Sequence, residues 1–400
     1  MICGLIKVSK HTVIIGYILL FSIVFLFSCE KASYSEGDAR NDLNKTGILD
    51  FNPPSIVIPK LRNLKTGYTQ FGVSDKYPPV VSFLHFSDLH GNNINLLRII
   101  EFVNKYQPFI DEVIQTGDLI PGTVKDGVPE SWSSVPTWLS VIGNHDATIK
   151  INNKWTTVSS ELSYNAIIAP YIKNWDVVQP KGAGENDYYP CYYFKDFSQS
   201  NLRLVVLDNM QPLNGGPTHW DATQKAWFEE VLNDARIKGY HVVIAVHYPP
   251  FATEHNPDNP FDSITVHPDE RGWHTSPDIP NAVKGFIDAG GTFICYLTGH
   301  THCDYFGLAR MDGTYSYQAG WHNQLCIGIA SASYISGAGI YGDSDRTVGT
   351  KSQDCFNIVG FDTTSKTLKI VRIGLEYDKY MRRKNTLCWD YGTGSLIYVD

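Results

Sequence analysis

The chain has 400 residues, with 33 Lys and Arg against 41 Asp and Glu and a formal charge of −8 at pH 7. With 43% hydrophobic residues it reads as a globular chain. Its acidity argues against a nonspecific grip on DNA or RNA, which depends on clustered Lys and Arg, so no nucleic-acid polymer is expected as a partner.

Lys7, Lys10 and His11 precede Thr12 to Phe27, an apolar stretch without a charge. It is shorter than the about 20 residues a spanning helix needs, which favours an export signal. Leu26-Phe27-Ser28-Cys29 resembles a bacterial lipoprotein cleavage box, although Phe27 is bulkier than usual there. Residues 1–29 are then a signal peptide and Cys29 the lipidated N-terminus of an exported chain, anchored to a membrane in the periplasm or at the cell surface. An uncleaved signal anchor is the alternative. Residues 30–52, rich in Ser, Asp, Asn and Gly, read as a flexible tether, and residues 53–400 as one domain.

From Val81 onward, five apolar, strand-like runs each end on residues that can bind a metal. Val81 to Ser87 ends in Asp88-Leu89-His90, and Glu112 to Thr116 in Gly117-Asp118. Trp138 to Ile142 ends in Gly143-Asn144-His145-Asp146, His241 to Val246 in His247, and Thr292 to Thr298 in Gly299-His300-Thr301-His302. Short continuous apolar runs predict buried strands, and ligands in open α/β sheets gather at the carboxyl ends of strands, so sequence-distant ends can converge. Carboxylate, amide oxygen and imidazole suit Mn, Fe or Zn, and no thiolate stands at any of the five ends. Two ions about 3.5–4 Å apart need a bridging carboxylate, and Asp118 is the natural bridge.

Between and after these runs, the spacing predicts helices. Asn92 or Asn93 caps one whose apolar face is Leu96, Ile99, Ile100, Val103 and Tyr106; Ala222 to Ile237 and Asn281 to Asp288 form two more. Strand and helix alternation predicts a layered α/β architecture. Beyond Asp304 the chain turns β-rich, with Leu325 to Ile329, Phe356 to Phe361 and Thr367 to Ile373 expected to complete the second sheet and Asp362-Thr363-Thr364-Ser365 to form a turn.

The motif order D-x-H, G-D, G-N-H-[DE], H, G-H-x-H resembles that of the calcineurin-like metallophosphoesterase family over Val81 to Asp304. The resemblance implies a four-layer α/β/β/α sandwich of two mixed β-sheets flanked by helices. It implies one divalent metal ion on Asp88, His90, Asp118 and His302, and a second on Asp118, Asn144, His247 and His300. It gives His145 a catalytic role near the leaving oxygen, with Asp146 beside it as a catalytic orienting partner. The implied activity is hydrolysis of a small phosphomono- or phosphodiester by attack of a metal-bridged hydroxide. A lipid-anchored, non-catalytic binding protein with structural metals is the alternative, but such a site has no use for His145. Pro121 stands where purple acid phosphatases of this family have a tyrosine, so a tyrosinate-bound ferric ion is not expected.

Substrate choice is expected in two insertions, because binding groups concentrate on loops held by a rigid scaffold. Tyr248 to Pro280 carries His255, His267, Arg271, Trp273 and His274, and Tyr315 to His322 carries Tyr317, Trp321 and His322. Arg271 has the chemistry to hold a phosphate oxygen, and Trp321 and His322 that to meet a base or sugar; singly, each also reads as an ordinary loop residue. Asp208 and His85 are expected to be structural. Of the eight cysteines, Cys3 leaves with the signal and Cys29 is assigned to lipid. Export permits disulfides among the rest, but spacing selects no pairing. Cys295 reads as a buried hydrophobe, and Cys303 is not needed as a ligand.

Overall fold

In the computed structural model the described residues are 48–65, 80–119, 138–146, 148–151, 154–157, 177–180, 191–209, 222–250, 278–302, 304–308, 324–333, 346–375 and 387–399. Before the first strand, Ile48–Phe51 (α1) and Pro54–Lys65 (α2) are helical, and Ile48, Val57, Leu61 and Leu64 are buried. Residues 48–52, expected to close the tether, therefore belong to the folded domain. Apolar side chains at helical spacing give this segment a face to bury, which a tether lacks. The expected signal segment and the rest of the expected tether lie outside the described residues, among which no helix is long and apolar enough to cross a membrane.

The run Val81–Phe86 forms β1 and is followed by α3 (Asn93–Tyr106). Asn92 is the N-cap, its side chain accepting the Asn95 N–H. The helix leads to β2 (Glu112–Gln115), parallel to β1, and β3 (Trp138–Ser140) is parallel to β2. After a hairpin of β4 (Thr148–Ile151) and β5 (Lys154–Thr157), β6 (Val177–Val178), β7 (Tyr193–Phe197) and β8 (Leu202–Val206) begin a second sheet. Then come α4 (Ala222–Lys238), β9 (His241–Ala245), α5 (Asp278–Asp288) and β10 (Thr292–Thr298), with β8, β9 and β10 parallel. The remaining strands are β11 (Tyr305–Leu308), β12 (Leu325–Gly328), β13 (Cys355–Asp362), β14 (Thr367–Gly374), β15 (Leu387–Asp390) and β16 (Ser395–Val399).

The first sheet has the order β16-β15-β14-β13-β1-β2-β3, and the second β11-β12-β10-β9-β8-β7-β6. The β-rich tail is thus divided: β12 joins the second sheet as expected, whereas β13 to β16 extend the first. The reason is the free edge of β1, which β13 takes antiparallel with Phe83 opposite Val359 and His85 opposite Asn357. The turn after β13 forms as expected, the Asp362 carboxylate accepting the Thr364 and Ser365 N–H groups.

The sheets pack face to face. Phe83 on β1 lies 5.3 Å, centroid to centroid, from Phe197 on β7, and the Tyr193 hydroxyl bridges to the backbone of Ser140. On the outer face of the first sheet Phe102 of α3 meets Phe356 at 4.8 Å. Outside the second sheet, Phe228, Val231 and Leu232 of α4 and Val283 and Phe286 of α5 pack on Val242, Ile244 and Tyr296. Burying each such side chain contributes about 1.5–3 kcal/mol. The result is the expected α/β/β/α sandwich. Cys191, Cys295, Cys326, Cys355 and Cys388 are buried, and Cys303 lies outside the described residues.

Candidate metal centre

The parallel strands β1, β2, β3, β9 and β10 deliver the five motif ends to one rim of the sandwich. Two groups of ligand atoms result, each within 4.8 Å: Asp88, His90, Asp118 and His302, and Asp118, His247 and His300. The Asn144 amide oxygen lies 3.0 Å from both His247 Nε2 and His300 Nδ1, which adds it to the second group. Asp118 belongs to both: its Oδ2 is 3.8 Å from His90 Nε2 and its Oδ1 3.5 Å from His247 Nε2. His302 Nε2 is 3.3 Å from Asp88 Oδ1 and 3.0 Å from His90 Nε2. All seven expected ligand residues are thus brought together. Two clusters of oxygen and imidazole nitrogen sharing one carboxylate fit a pair of borderline divalent cations, since a cation satisfies lone pairs that otherwise face one another.

The backbone is strained where the ligands sit. Seven non-glycine residues among those described have positive φ, and five are expected ligands: Asp88 (54°), His90 (48°), Asp118 (56°), His300 (67°) and His302 (55°). Such a conformation costs on the order of 1–3 kcal/mol per residue and persists where the surroundings enforce it. Asp and His are among the side chains that enter this region most readily. Hydrogen bonds between the loops supply the enforcement: Asp88 N–H to the Gly117 carbonyl at 3.0 Å, His90 N–H to the Asp118 carbonyl at 2.9 Å, and His300 N–H to the Asp88 carboxylate at 3.0 Å. Close approach explains the motif glycines. A Cβ on Gly117 would collide with the His247 imidazole, and one on Gly143 with Asp118.

The electrostatics are those of a site built for positive charge. Burial pushes the Asp118 carboxyl up, but His247, His145 and His90 outweigh it and hold the carboxyl well below its ordinary range. Burial likewise opposes ionisation of Asp88, which His302 and His247 overcome. His247 is disfavoured as a cation by burial, yet Asp118 and Asp88 raise it to about 9. His90 falls to about 3, through burial first and then the neighbouring His145.

His145 stands at the mouth. Its side chain is 27% exposed against 1% for Asp118, its ring meets His90 edge-on at 4.8 Å, and Nε2 is 3.9 Å from Asp118 Oδ2. Its backbone N–H donates to Asp118 Oδ1 at 2.8 Å. Asp146, expected as an orienting partner of His145, is fully buried, and its carboxylate accepts the backbone N–H groups of Leu119 and Gly143, each at 2.9 Å. It ties the Gly117-Asp118 loop to the Gly143-Asn144-His145 loop, a structural task in its own right. A side chain three residues after Gly143 can turn back onto that N–H, and this local bond takes the carboxylate inward.

Asp208 and His85 take structural places. Gln224 brackets the Asp208 backbone, and His85 Nε2 is 3.0 Å from Thr116 Oγ1. Tyr248, which had no expected role as a residue, meets the His300 ring edge-on with centroids 4.1 Å apart, while Asn209 holds its backbone. Its one sequence signal was adjacency to His247. Arg271, Trp321 and His322 lie outside the described residues, as do Pro121, Tyr317, Trp273 and the other insertion histidines.

No curated protein matches the chain. Among solved structures it is similar to a dimetal phosphatase from Danio rerio, at 14% identity over 78% of this chain and 99% of that one, with a TM-score of 0.48. It is also similar to GAP50, the anchor in the inner membrane complex of Plasmodium, at 11% identity over 80% and 88% of the two chains, with a TM-score of 0.36. The family model of the calcineurin-like phosphoesterases matches residues 81–304, more than half of the sequence and the segment that carries every ligand described above. The chain is therefore a member of the calcineurin-like phosphoesterase family, hydrolases that use divalent metals.

Proposed function

We propose that the protein hydrolyses a small phosphomono- or phosphodiester at a paired divalent-metal centre, with Mn, Fe or Zn as the candidate ions. The observation that carries this reading is Asp118, whose two carboxylate oxygens face separate groups of ligands. Asp88, His90 and His302 hold one position with it, and Asn144, His247 and His300 the other. When bound, two ions supply Lewis-acid neutralisation of phosphoryl charge and an activated water. The protein's own part is to fix the ligands through strained, cross-bonded loops and to present His145 at the mouth. From there Nε2 can give a proton to the leaving oxygen, general acid catalysis that contributes about 10²–10⁴-fold. Asp146 keeps the Asn144 and His145 loop at its distance from Asp118.

The apolar N-terminal stretch and Cys29 support an exported protein held to a membrane by lipid, with the chain from Ile48 onward as the catalytic domain. Arg271, Trp321 and His322 are proposed substrate contacts. An assay panel tests the whole reading: p-nitrophenyl phosphate, bis-p-nitrophenyl phosphate and nucleotides, each with Mn²⁺, Fe²⁺, Zn²⁺ and Mg²⁺, alongside elemental analysis. About two ions per chain and turnover of at least one ester are expected, with Asp118→Asn losing both. A protein that binds two ions and turns over nothing in the panel would be a binding protein instead.

A further inference from the structure

We infer that Arg346 is a positioning residue for the Asp88 and His90 half of the metal centre, acting through the backbone of residues 331–333. The inference rests on the metal reading above, but Arg346 and residues 331–333 lie beyond the segment that the family model matches.

Arg346 is buried, 8% exposed, and its guanidinium is threaded among backbone carbonyls. Nε donates to Ser352 at 3.0 Å, Nη2 to Gln353 at 2.6 Å and to Ala332 at 3.5 Å, and Nη1 to Ser333 at 3.2 Å and to Ser331. A planar fork with five N–H donors can serve several carbonyls at once, whereas a lysine presents a single ammonium. The segment it organises is the one that grips the first metal loop. Ser331 Oγ donates to the Asp88 carbonyl at 2.6 Å, the Ala332 N–H donates to the Ser87 carbonyl at 2.8 Å, and Asn92 Nδ2 donates to Ser333 Oγ at 3.2 Å. Behind it, Asn95 donates to the carbonyls of Ala332 and Gln353, and Arg98 pairs bidentately with Asp354 at 2.6 and 2.7 Å.

This grip matters because Asp88 and His90 are both in the left-handed region. A backbone that stores strain relaxes when its supports go, and metal affinity is lost when ligand atoms drift by a few tenths of an ångström. Removing the fork takes a donor from each of five carbonyls and loosens the 331–333 segment through which the Asp88 loop is held. The other half of the centre is held differently, by the ends of β3, β9 and β10 and by the Thr116 carbonyl behind His247. Loss of Arg346 should therefore act on one ion before the other.

Zinc titration of metal-stripped protein against a chromophoric chelator resolves two dissociation constants. In Arg346→Ala one constant should rise on the order of 10–100-fold, the usual effect of removing a group behind a ligand, while the other stays within about threefold. Ser331→Ala, which removes the hydroxyl that donates to the Asp88 carbonyl and accepts the Ser333 N–H but leaves the guanidinium in place, should move the same constant in the same direction by less. Arg346→Lys should resemble Arg346→Ala; full rescue by lysine would assign the effect to charge and overturn the bridging role. Equal weakening of both constants would mean a general loss of structure, and unchanged constants in both variants would likewise overturn the inference. If Arg346→Ala does not fold, Ser331→Ala alone decides. Wild-type protein that takes up fewer than two zinc ions would overturn the metal reading itself, and this inference with it.

Discussion

His247 Nδ1 lies 2.7 Å from the backbone carbonyl of Thr116. A carbonyl only accepts, so Nδ1 carries the proton and Nε2 is the nitrogen turned toward Asn144 and Asp118. Holding a ligand imidazole in one tautomer by its far nitrogen is the usual way a protein orients it for a metal. Here the acceptor is the residue immediately before Gly117-Asp118, so the loop that carries the shared carboxylate also aims an imidazole of the second cluster.

His145 should separate from the ligands on substitution. His145→Ala is expected to retain both ions while kcat falls by about 10²–10⁴. The loss should shrink for p-nitrophenolate, a leaving group that needs little protonation, and stay large for an alkyl ester. Elemental analysis beside steady-state kinetics on both esters checks this. An equal loss on the two esters would make His145 an electrostatic or positioning group, and a fall in metal content would make it a support of the site.

Asp146 has the opposite signature. Its carboxylate satisfies two buried N–H groups, and leaving a buried donor without its acceptor costs about 1–3 kcal/mol. Asp146→Ala should lower the thermal midpoint of metal-free and metal-loaded protein alike, with activity per folded molecule reduced through the displaced loop. Calorimetry on both forms is the measurement. An unchanged midpoint with lost activity would give Asp146 a catalytic role in place of the structural one.

The pH dependence of stability should show His85. Burial, then the nearby Arg372, lowers its imidazole to about 3 against 6.5 in a free histidine, with Asp88 opposing. Between these values the unfolded chain takes up a proton that the folded chain refuses, so this contribution is complete above pH 6.5 and is lost as the pH falls toward 3. In metal-free protein, His85→Gln should flatten the fall in stability between pH 7 and pH 5, read from urea unfolding at each pH. His90 titrates in the same window and leaves a residual slope in both proteins. Parallel curves for wild type and His85→Gln would remove His85 from this account.

At the N-terminus, lipidation of Cys29 predicts that Cys29→Ser yields an unprocessed or soluble species in place of a membrane-anchored one, because stable anchoring needs acyl chains in the bilayer. Metabolic labelling with a fatty-acid analogue reads this directly. Wild-type protein without label and with residues 1–28 still attached would be a signal anchor.

The residues that converge on the two clusters were legible in the sequence because each is a chemically distinctive residue at the end of a short apolar run, and strand ends are where an α/β sheet gathers its ligands. The helix at Asn93–Tyr106 was equally legible, its apolar face and asparagine cap being local signals. Other features depend on partners remote in the chain. Whether a carboxylate next to a histidine serves that histidine is decided by which N–H groups the fold brings up, and for Asp146 these belong to Leu119 and Gly143. The sheet that β13 and β14 join follows from the open edge of β1, more than 250 residues away for the pair His85 and Asn357. The Ile48–Phe51 helix has few residues to announce itself and gains its order from burial of Ile48 and from Tyr106, whose hydroxyl donates to the Asn52 carbonyl at 3.0 Å. Tyr248 and Arg346 carry no motif, since aromatic and guanidinium groups are common and acquire meaning only from what they touch. Residue chemistry at the strand ends determined the reaction class; the hydrogen bonds that hold those ends at positive φ belong to the tertiary structure, because strain is stable only where distant segments enforce it.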